Sequence, residues 1–207
     1  MKKGKMRLNK KTERLAGLAL MTAVIIVLQV FSTYLTNVTA NQISITFALV
    51  PIVIGAALYG VGAGAYLGAV FSATVLLLSV FGIEKSGAFL FYEVNPFLTA
   101  LLIMLKGTAA GLAAGLVYRA LEKKNKVLAT FAAAVVSPLV NTFIFVFGLF
   151  LFFRPVFNEW AKNADSNVFL YFFTFVIGLN FIIELLTNVI LSPVIVRIVD
   201  IVRKNKS

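Results

Sequence analysis

The chain alternates long apolar runs with short polar connections, and the lengths of the runs predict its class. A helix needs about 20 consecutive apolar residues to cross the hydrocarbon core of a bilayer. Six runs approach or exceed this length, the second being the shortest, at residues 15–36, 44–60, 62–81, 96–120, 127–153 and 168–198. The pattern predicts an all-α integral membrane bundle of six transmembrane helices over residues 15–203, preceded by a basic cytoplasmic tail at residues 1–14.

The charges between the apolar runs predict how the bundle is oriented. Most of the 19 Lys and Arg residues lie in the N-terminal tail, around residues 119–126, and at residues 197–206. The other connections contain Lys85, Arg154 and Lys162, partly offset by acidic residues. Cytoplasmic connections carry an excess of Lys and Arg. We therefore expect both termini in the cytoplasm and an even number of crossings.

Composition narrows the function classes. The chain is 60% hydrophobic and 13% charged, with a formal net charge of +11. Because its cations flank apolar runs, we expect them to contact anionic lipid headgroups of the bilayer, and we expect no nucleic acid partner. Cysteine and histidine are absent, which excludes thiolate catalysis, a Ser-His triad and the common zinc motifs. We expect no catalytic residue, no metal and no cofactor.

Small residues recur at four-residue spacing on three of the predicted helices. Gly60, Gly64 and Gly68 form one ridge, residues 107, 111 and 115 form another, and both favour close helix packing within the bundle. On the first helix, Ala16, Ala19 and Ala23 form a strip of alanines. That strip could pack inside the bundle or could form a flat docking surface for another subunit, and spacing alone leaves both alternatives open.

Polar side chains at bilayer depth are costly, so each one is a candidate functional residue. The candidate substrate-binding residues are Gln29, Asn95, Lys106, Asn141, Asn180 and Glu184. A rise of about 1.5 Å per residue places most of them at mid-depth or in the outer half of the bundle, below the connections at residues 36–44 and 82–95. We expect a small-molecule pocket there. Two alternatives stay open: the amides could bond between helices only, and Lys106 could pair only with Glu184.

Three segments of the sequence resemble segments found in a known family. They are the apolar segment from Phe47 to Gly60, the pattern Lys-Gly-x-x-Ala-Gly-x-x-Ala-Gly at residues 106–115, and the Ala19-x-x-x-Ala23 pair. With six predicted helices and an outer pocket, the chain resembles the substrate-binding S components of energy-coupling factor (ECF) vitamin transporters. The resemblance covers about residues 15–200.

This resemblance implies a function and a set of partners. S components bind a water-soluble vitamin from outside and dock on a transmembrane coupling subunit that carries two ATPase subunits. The alanine strip matches the docking motif of the family. The chain has no Gly-x-x-x-x-Gly-Lys-Ser/Thr loop, so we expect the ATPase subunits to supply the energy. Among the subfamilies of S components, the sequence as a whole is most similar to the pantothenate type. The resemblance also implies a location in a bacterial plasma membrane.

Other functions are alternatives to this interpretation. The chain could be an S component for riboflavin or folate. It could also be a stand-alone transporter or channel, or an intramembrane enzyme. A channel would conduct and an enzyme would turn over, whereas an S component binds one vitamin without ATP.

Overall fold

The computed structural model describes residues 9–38, 46–84, 87–163 and 179–204. These ranges form α-helices and contain no β-strand, which confirms the prediction of an all-α chain. The helices are α1 (Lys10–Val38), α2 (Leu49–Tyr59), α3 (Val61–Val80), α4 (Gly87–Val94), α5 (Pro96–Leu121), α6 (Lys126–Phe152), α7 (Arg154–Asn163) and α8 (Leu179–Lys204).

Five of these helices, namely α1, α3, α5, α6 and α8, are long and apolar enough to cross a membrane. The second predicted span is shorter than expected, because α2 has 11 residues and a length of about 16 Å. The sixth predicted span is described from Leu179 and continues to Lys204, beyond the predicted end at residue 198. The parts of these two predictions at residues 44–45 and 168–178 lie outside the described residues.

Two of the connections between predicted spans contain helices. The segment at residues 82–95 includes α4, and α7 follows α6 after Phe153. Asn95 ends the first of these segments and caps α5, where its side-chain oxygen accepts a hydrogen bond from the backbone N–H of Leu98 at 3.0 Å. Pro96 follows at the first helical position, where its missing N–H leaves no hydrogen bond unmade.

The glycine ridges bring α3 and α5 into backbone contact. A Cβ atom on Gly64 would collide with the carbonyl oxygen of Gly111, and one on Gly68 would collide with the carbonyl oxygen of Gly107. Only glycine allows two helix backbones to approach this closely. The predicted role in internal packing is confirmed for these four glycines, and we call this contact the α3/α5 glycine seam. The prediction is wrong for Gly60, which lies between α2 and α3 with a φ of +92°, and a Cβ there would meet nothing within 4 Å.

The described residues of the basic clusters gather at one end of the bundle, which we call the basic end. Arg203 near the end of α8 donates to the carbonyl oxygen of Ala57 at 2.8 Å and to Glu122 Oε2 at 3.0 Å. Arg14 near the start of α1 donates to the carbonyl oxygen of Tyr59 at 3.1 Å. The start of α1 therefore lies beside the ends of α2, α5 and α8, so the long helices and α2 alternate in direction.

Candidate functional site

A buried carboxylate forms the centre of a polar cluster far from the basic end. Glu184 on α8 is 8% exposed, and its Oε2 accepts a hydrogen bond from Asn141 Nδ2 on α6 at 3.5 Å. Thr46, just before α2, also hydrogen-bonds to this carboxylate through its side chain. Asn141 and Thr46 are themselves buried. Three separate parts of the chain thus converge on one acidic group.

Lys106 lies on α5 close to this cluster. Its Nζ lies 4.1 Å from the centre of the Phe145 ring, a cation–π contact. Glu184 and Glu84 are near enough to interact electrostatically with the ammonium group. Within the described ranges, however, no carboxylate forms an ion pair with Lys106. The ammonium therefore rests on an aromatic face with carboxylates nearby but not in direct contact.

Lys106 and Glu184 lie at similar heights along the bundle. The ion pair between Arg203 and Glu122 gives a common reference level at the basic end. From that level, a rise of about 1.5 Å per residue places Lys106 about 24 Å away along α5 and Glu184 about 28 Å away along α8. The two groups lie within one helical turn of each other in height, which long side chains can span.

Glu84 is a residue that sequence reasoning missed as a site candidate. The sequence places it in a polar connection, where a carboxylate is normally solvated. In the structure it is 6% exposed, and its Oε2 accepts a hydrogen bond from Ser79 Oγ at 3.0 Å. Its proximity to Lys106 makes it part of the same charged group. The only sequence signal is an acidic residue shortly after an apolar helix.

Asn188 is a second missed residue. It is fully buried on α8, and its Nδ2 donates to the backbone carbonyl oxygen of Glu184 at 2.8 Å. Glu184, Asn188 and Ser192 are spaced by four, so they share one face of the helix. This spacing was a readable signal, because three polar residues recur on one stripe of an otherwise apolar run.

A matching polar stripe lies on α6. Ser137 and Asn141 are one turn apart and both are buried. Towards the basic end, Ala133 of α6 belongs to the same core cluster as Ile195 of α8. Together with the contact between Asn141 and Glu184, this shows that the two helices run antiparallel, so Ser137 lies near the level of Asn188. We call Ser137, Asn141, Glu184, Asn188 and Ser192 the α6/α8 polar seam.

The other predicted substrate-binding residues lie apart from these contacts or outside what the structure describes. Gln29 is buried on α1, where its Nε2 donates to Thr33 Oγ1 at 3.4 Å within the same helix. Asn95 is half-buried and uses its oxygen to cap α5. Asn180 lies in the first turn of α8, and its side chain is outside the described part of the chain.

The alanine strip lies on the outer surface of the bundle. Ala16, Ala19 and Ala23 are all exposed, whereas Ile25 on the opposite face of α1 is fully buried. Only 17% of the most apolar 18-residue window of α1 is buried, the smallest share among the five long helices. The strip therefore makes little contribution to internal packing and presents small side chains at the outer surface.

The cluster is suited to binding. Within the described ranges, no group of three or more His, Cys, Asp or Glu residues could hold a metal ion. The site offers an ammonium group, buried carboxylates, carboxamides and hydroxyls inside an apolar bundle, which is the composition of a small-molecule pocket.

The five long apolar helices and the buried polar cluster between them define a polytopic helical membrane protein. The sequence model of the family described as "ECF transporter, substrate-specific component" matches residues 13–196, and the chain belongs to this family. Its members are substrate-binding transport subunits, which supports a role in transport rather than in catalysis. Comparisons with curated proteins and with solved structures give no match.

Proposed function

We propose that this chain captures pantothenate, a water-soluble vitamin, as the S component of an ECF importer. The half-buried Lys106 and the buried Asn141 and Glu184 carry this proposal. An ammonium group without an ion-pair partner among the described residues suits a ligand carboxylate, because charge-assisted hydrogen bonds are the strongest that such a site can make. The neighbouring amides suit the polar remainder of such a ligand.

The proposed orientation places the basic end in the cytoplasm of a bacterium. Arg14, Arg203 and the cations near residue 122 share that end, and an excess of Lys and Arg is typical of cytoplasmic connections. In this orientation the chain lies in the plasma membrane with both termini inside. The polar cluster then lies in the half of the bundle nearest the outside, where a captured nutrient arrives.

Delivery is proposed to require a transmembrane coupling subunit and two ATPase subunits. The exposed strip of Ala16, Ala19 and Ala23 supports this part of the proposal, because small side chains let the helix of another subunit approach closely. The strip lies on the opposite face of α1 from its buried residues, so docking would leave the packing of the bundle intact.

Binding by the purified full chain tests the vitamin. Titration calorimetry in detergent micelles compares pantothenate, riboflavin and folate without ATP. We expect pantothenate to bind with one site per chain. Binding of riboflavin or folate instead would replace the vitamin but keep the role of an S component. Ion conductance in vesicles, or conversion of a bound molecule, would contradict that role.

Docking is tested separately from binding. Ala19→Trp and Ala23→Trp place bulk on the strip, whereas Val24→Trp places the same bulk on the side of α1 and serves as the control. We expect the first two variants to bind pantothenate normally but to lose uptake and co-purification with the coupling subunit. Normal co-purification of the Ala19→Trp/Ala23→Trp double variant would show that the subunit docks elsewhere.

A further inference from the structure

The α6/α8 polar seam determines which chemical groups a ligand must present. We infer that the ligand places hydroxyl or N–H donors against the carboxamide oxygens of Asn141 and Asn188, while its acidic end faces Lys106. The inference rests on the proposed function and assigns Asn188 as a ligand contact one turn deeper than Glu184.

The orientation of both carboxamides is determined by their partners. The amino group of Asn141 faces a carboxylate oxygen of Glu184, and the amino group of Asn188 faces the backbone carbonyl oxygen of the same residue. The backbone carbonyl oxygen is an acceptor and never a donor, and the same holds for the carboxylate of an ionised Glu184. Each amide must therefore direct its NH₂ group towards Glu184. The two Oδ1 atoms consequently point away from these contacts.

Both Oδ1 atoms are buried and lack a donor. Neither the Oδ1 of Asn141 nor that of Asn188 has a hydrogen-bond partner within the described ranges, and the Oγ of Ser137, one turn from Asn141 on α6, has none either. A buried acceptor without a donor loses its hydration without compensation, which is unfavourable. The seam thus holds adjacent acceptors that a ligand carrying donors would satisfy.

The charged group and the seam require opposite properties of a ligand. Lys106 carries only donors, so it matches an acceptor such as a carboxylate. Asn141 and Asn188 offer acceptors, and Glu184 between them already accepts from Asn141 and Thr46. A ligand that satisfies both regions is bipolar, with an acidic end and a chain that carries hydroxyl or amide N–H groups. A purely acidic or purely aromatic molecule would leave the seam unsatisfied.

A thermodynamic cycle between ligand and protein tests this inference. The probes are pantothenate and its two analogues in which one hydroxyl group is replaced by hydrogen, titrated into the wild-type chain and into Asn188→Ala. On the wild-type chain we expect at least one analogue to bind about tenfold more weakly or worse than pantothenate. In Asn188→Ala the same replacement should cost less than about threefold, because the acceptor is gone.

Ser137→Ala provides a second variant should Asn188→Ala not fold, and Ser72→Ala is the matched control. Ser72 is also a fully buried hydroxyl without a partner in the described chain, but it lies against Gly107 at the α3/α5 glycine seam. In Ser72→Ala we expect the replacement of a ligand hydroxyl to weaken binding as much as it does in the wild-type chain. An equal penalty in the wild type and in both seam variants would overturn the inference and leave these residues a structural or hydrating role.

Failure of the proposed function would look different. If pantothenate binds but loss of a ligand hydroxyl weakens binding equally in the wild-type chain and in the variants, only the inference fails. If riboflavin binds instead, the assignment of an acidic ligand end to Lys106 fails, because riboflavin has no carboxylate. The same cycle with a flavin that lacks the side-chain hydroxyls then tests only whether the ligand's hydroxyl groups donate to the seam. If none of the three vitamins binds, the proposed function fails and this inference fails with it.

Discussion

The α3/α5 glycine seam and the α6/α8 polar seam join helices in the same bundle by opposite means. At the first, Gly64 and Gly68 place one backbone directly against the other. At the second, Asn141 and Glu184 meet through their side chains, and buried acceptors remain without donors. A backbone contact has no freedom to rearrange, whereas a polar contact can exchange partners. The bundle thus combines a seam that holds its shape with a seam whose hydrogen bonds can rearrange, as the proposed ligand binding would require.

The largest expected effect is disruption of the glycine seam. A Cβ atom on Gly111 would collide with the carbonyl oxygen of Gly64 and come within 3.1 Å of Ile52 Cγ2. Gly111→Leu should therefore lower the free energy of unfolding by about 3 kcal/mol or more, or prevent recovery of folded protein. Thermal melting and size-exclusion chromatography provide the measurement.

Gly62→Leu is the control for this substitution. Gly62 lies on α3, but a Cβ there meets nothing within 4 Å, so the added side chain would extend from the outer surface. We expect a stability close to that of the wild type. Equal destabilisation by both substitutions would mean that the loss does not come from the collision at the seam, because Leu has a higher helix propensity than Gly.

The next effect concerns the charged group beside the polar seam. Lys106→Met keeps the apolar stem and removes the charge, so we expect pantothenate affinity to fall by about 2–4 kcal/mol, or roughly 30- to 1000-fold. Asn141→Ala should cost less, about 1–2 kcal/mol, because it removes a neutral hydrogen bond. Titration calorimetry measures both losses.

Glu184→Gln separates a role of Lys106 in binding from a role in stability. If Lys106 served only to neutralise Glu184, Lys106→Met would lower the melting temperature, and the double variant with Glu184→Gln would restore it. Near-normal affinity together with such a rescue would remove Lys106 from the binding site. We expect the opposite result, with lost affinity that the double variant does not recover.

The smallest effect is expected where the helices of both seams meet, at the basic end. Arg203 of α8 contacts Ala57 of α2 and Glu122 just after α5. Arg203→Gln should lower the free energy of unfolding by about 1–2 kcal/mol, because a partly exposed ion pair and one charged hydrogen bond are lost. The exposed Arg197 gives the control Arg197→Gln. Equal melting temperatures for the two variants would show that this contact does not stabilise the bundle.

The parts of the fold that the sequence predicted are those with a strong local pattern. The apolar runs predicted the bounds of α3, α5 and α6 to within a residue or two. Four-residue glycine spacing predicted close helix packing within the bundle, and the structure shows that the ridges of α3 and α5 pack against each other. The short helices α4 and α7 were missed, since neither has the length of a span.

The candidate site was less predictable because its members meet only in the folded bundle. From the sequence, Glu84 is a charged residue in a connection between helices. Nothing in the neighbouring sequence indicates that it becomes buried near Lys106. Asn95 reads as a site residue, yet its oxygen caps α5. Asn188 could have been predicted from the sequence, because Glu184, Asn188 and Ser192 recur at four-residue spacing and so share one helix face. Depth along a helix was predictable, but the direction of each side chain depended on which helix packed beside it.

The outward position of α1 has a consequence for how the protein is made. Its most apolar 18-residue window has a mean hydropathy of 2.3, the highest of the five long helices, and the smallest buried share. A helix of that kind gains most of its stability from lipid rather than from its neighbours. We therefore expect α1 to enter the bilayer as an independent unit during synthesis, before the bundle has formed. Assembly would then begin with a membrane anchor and finish with the core.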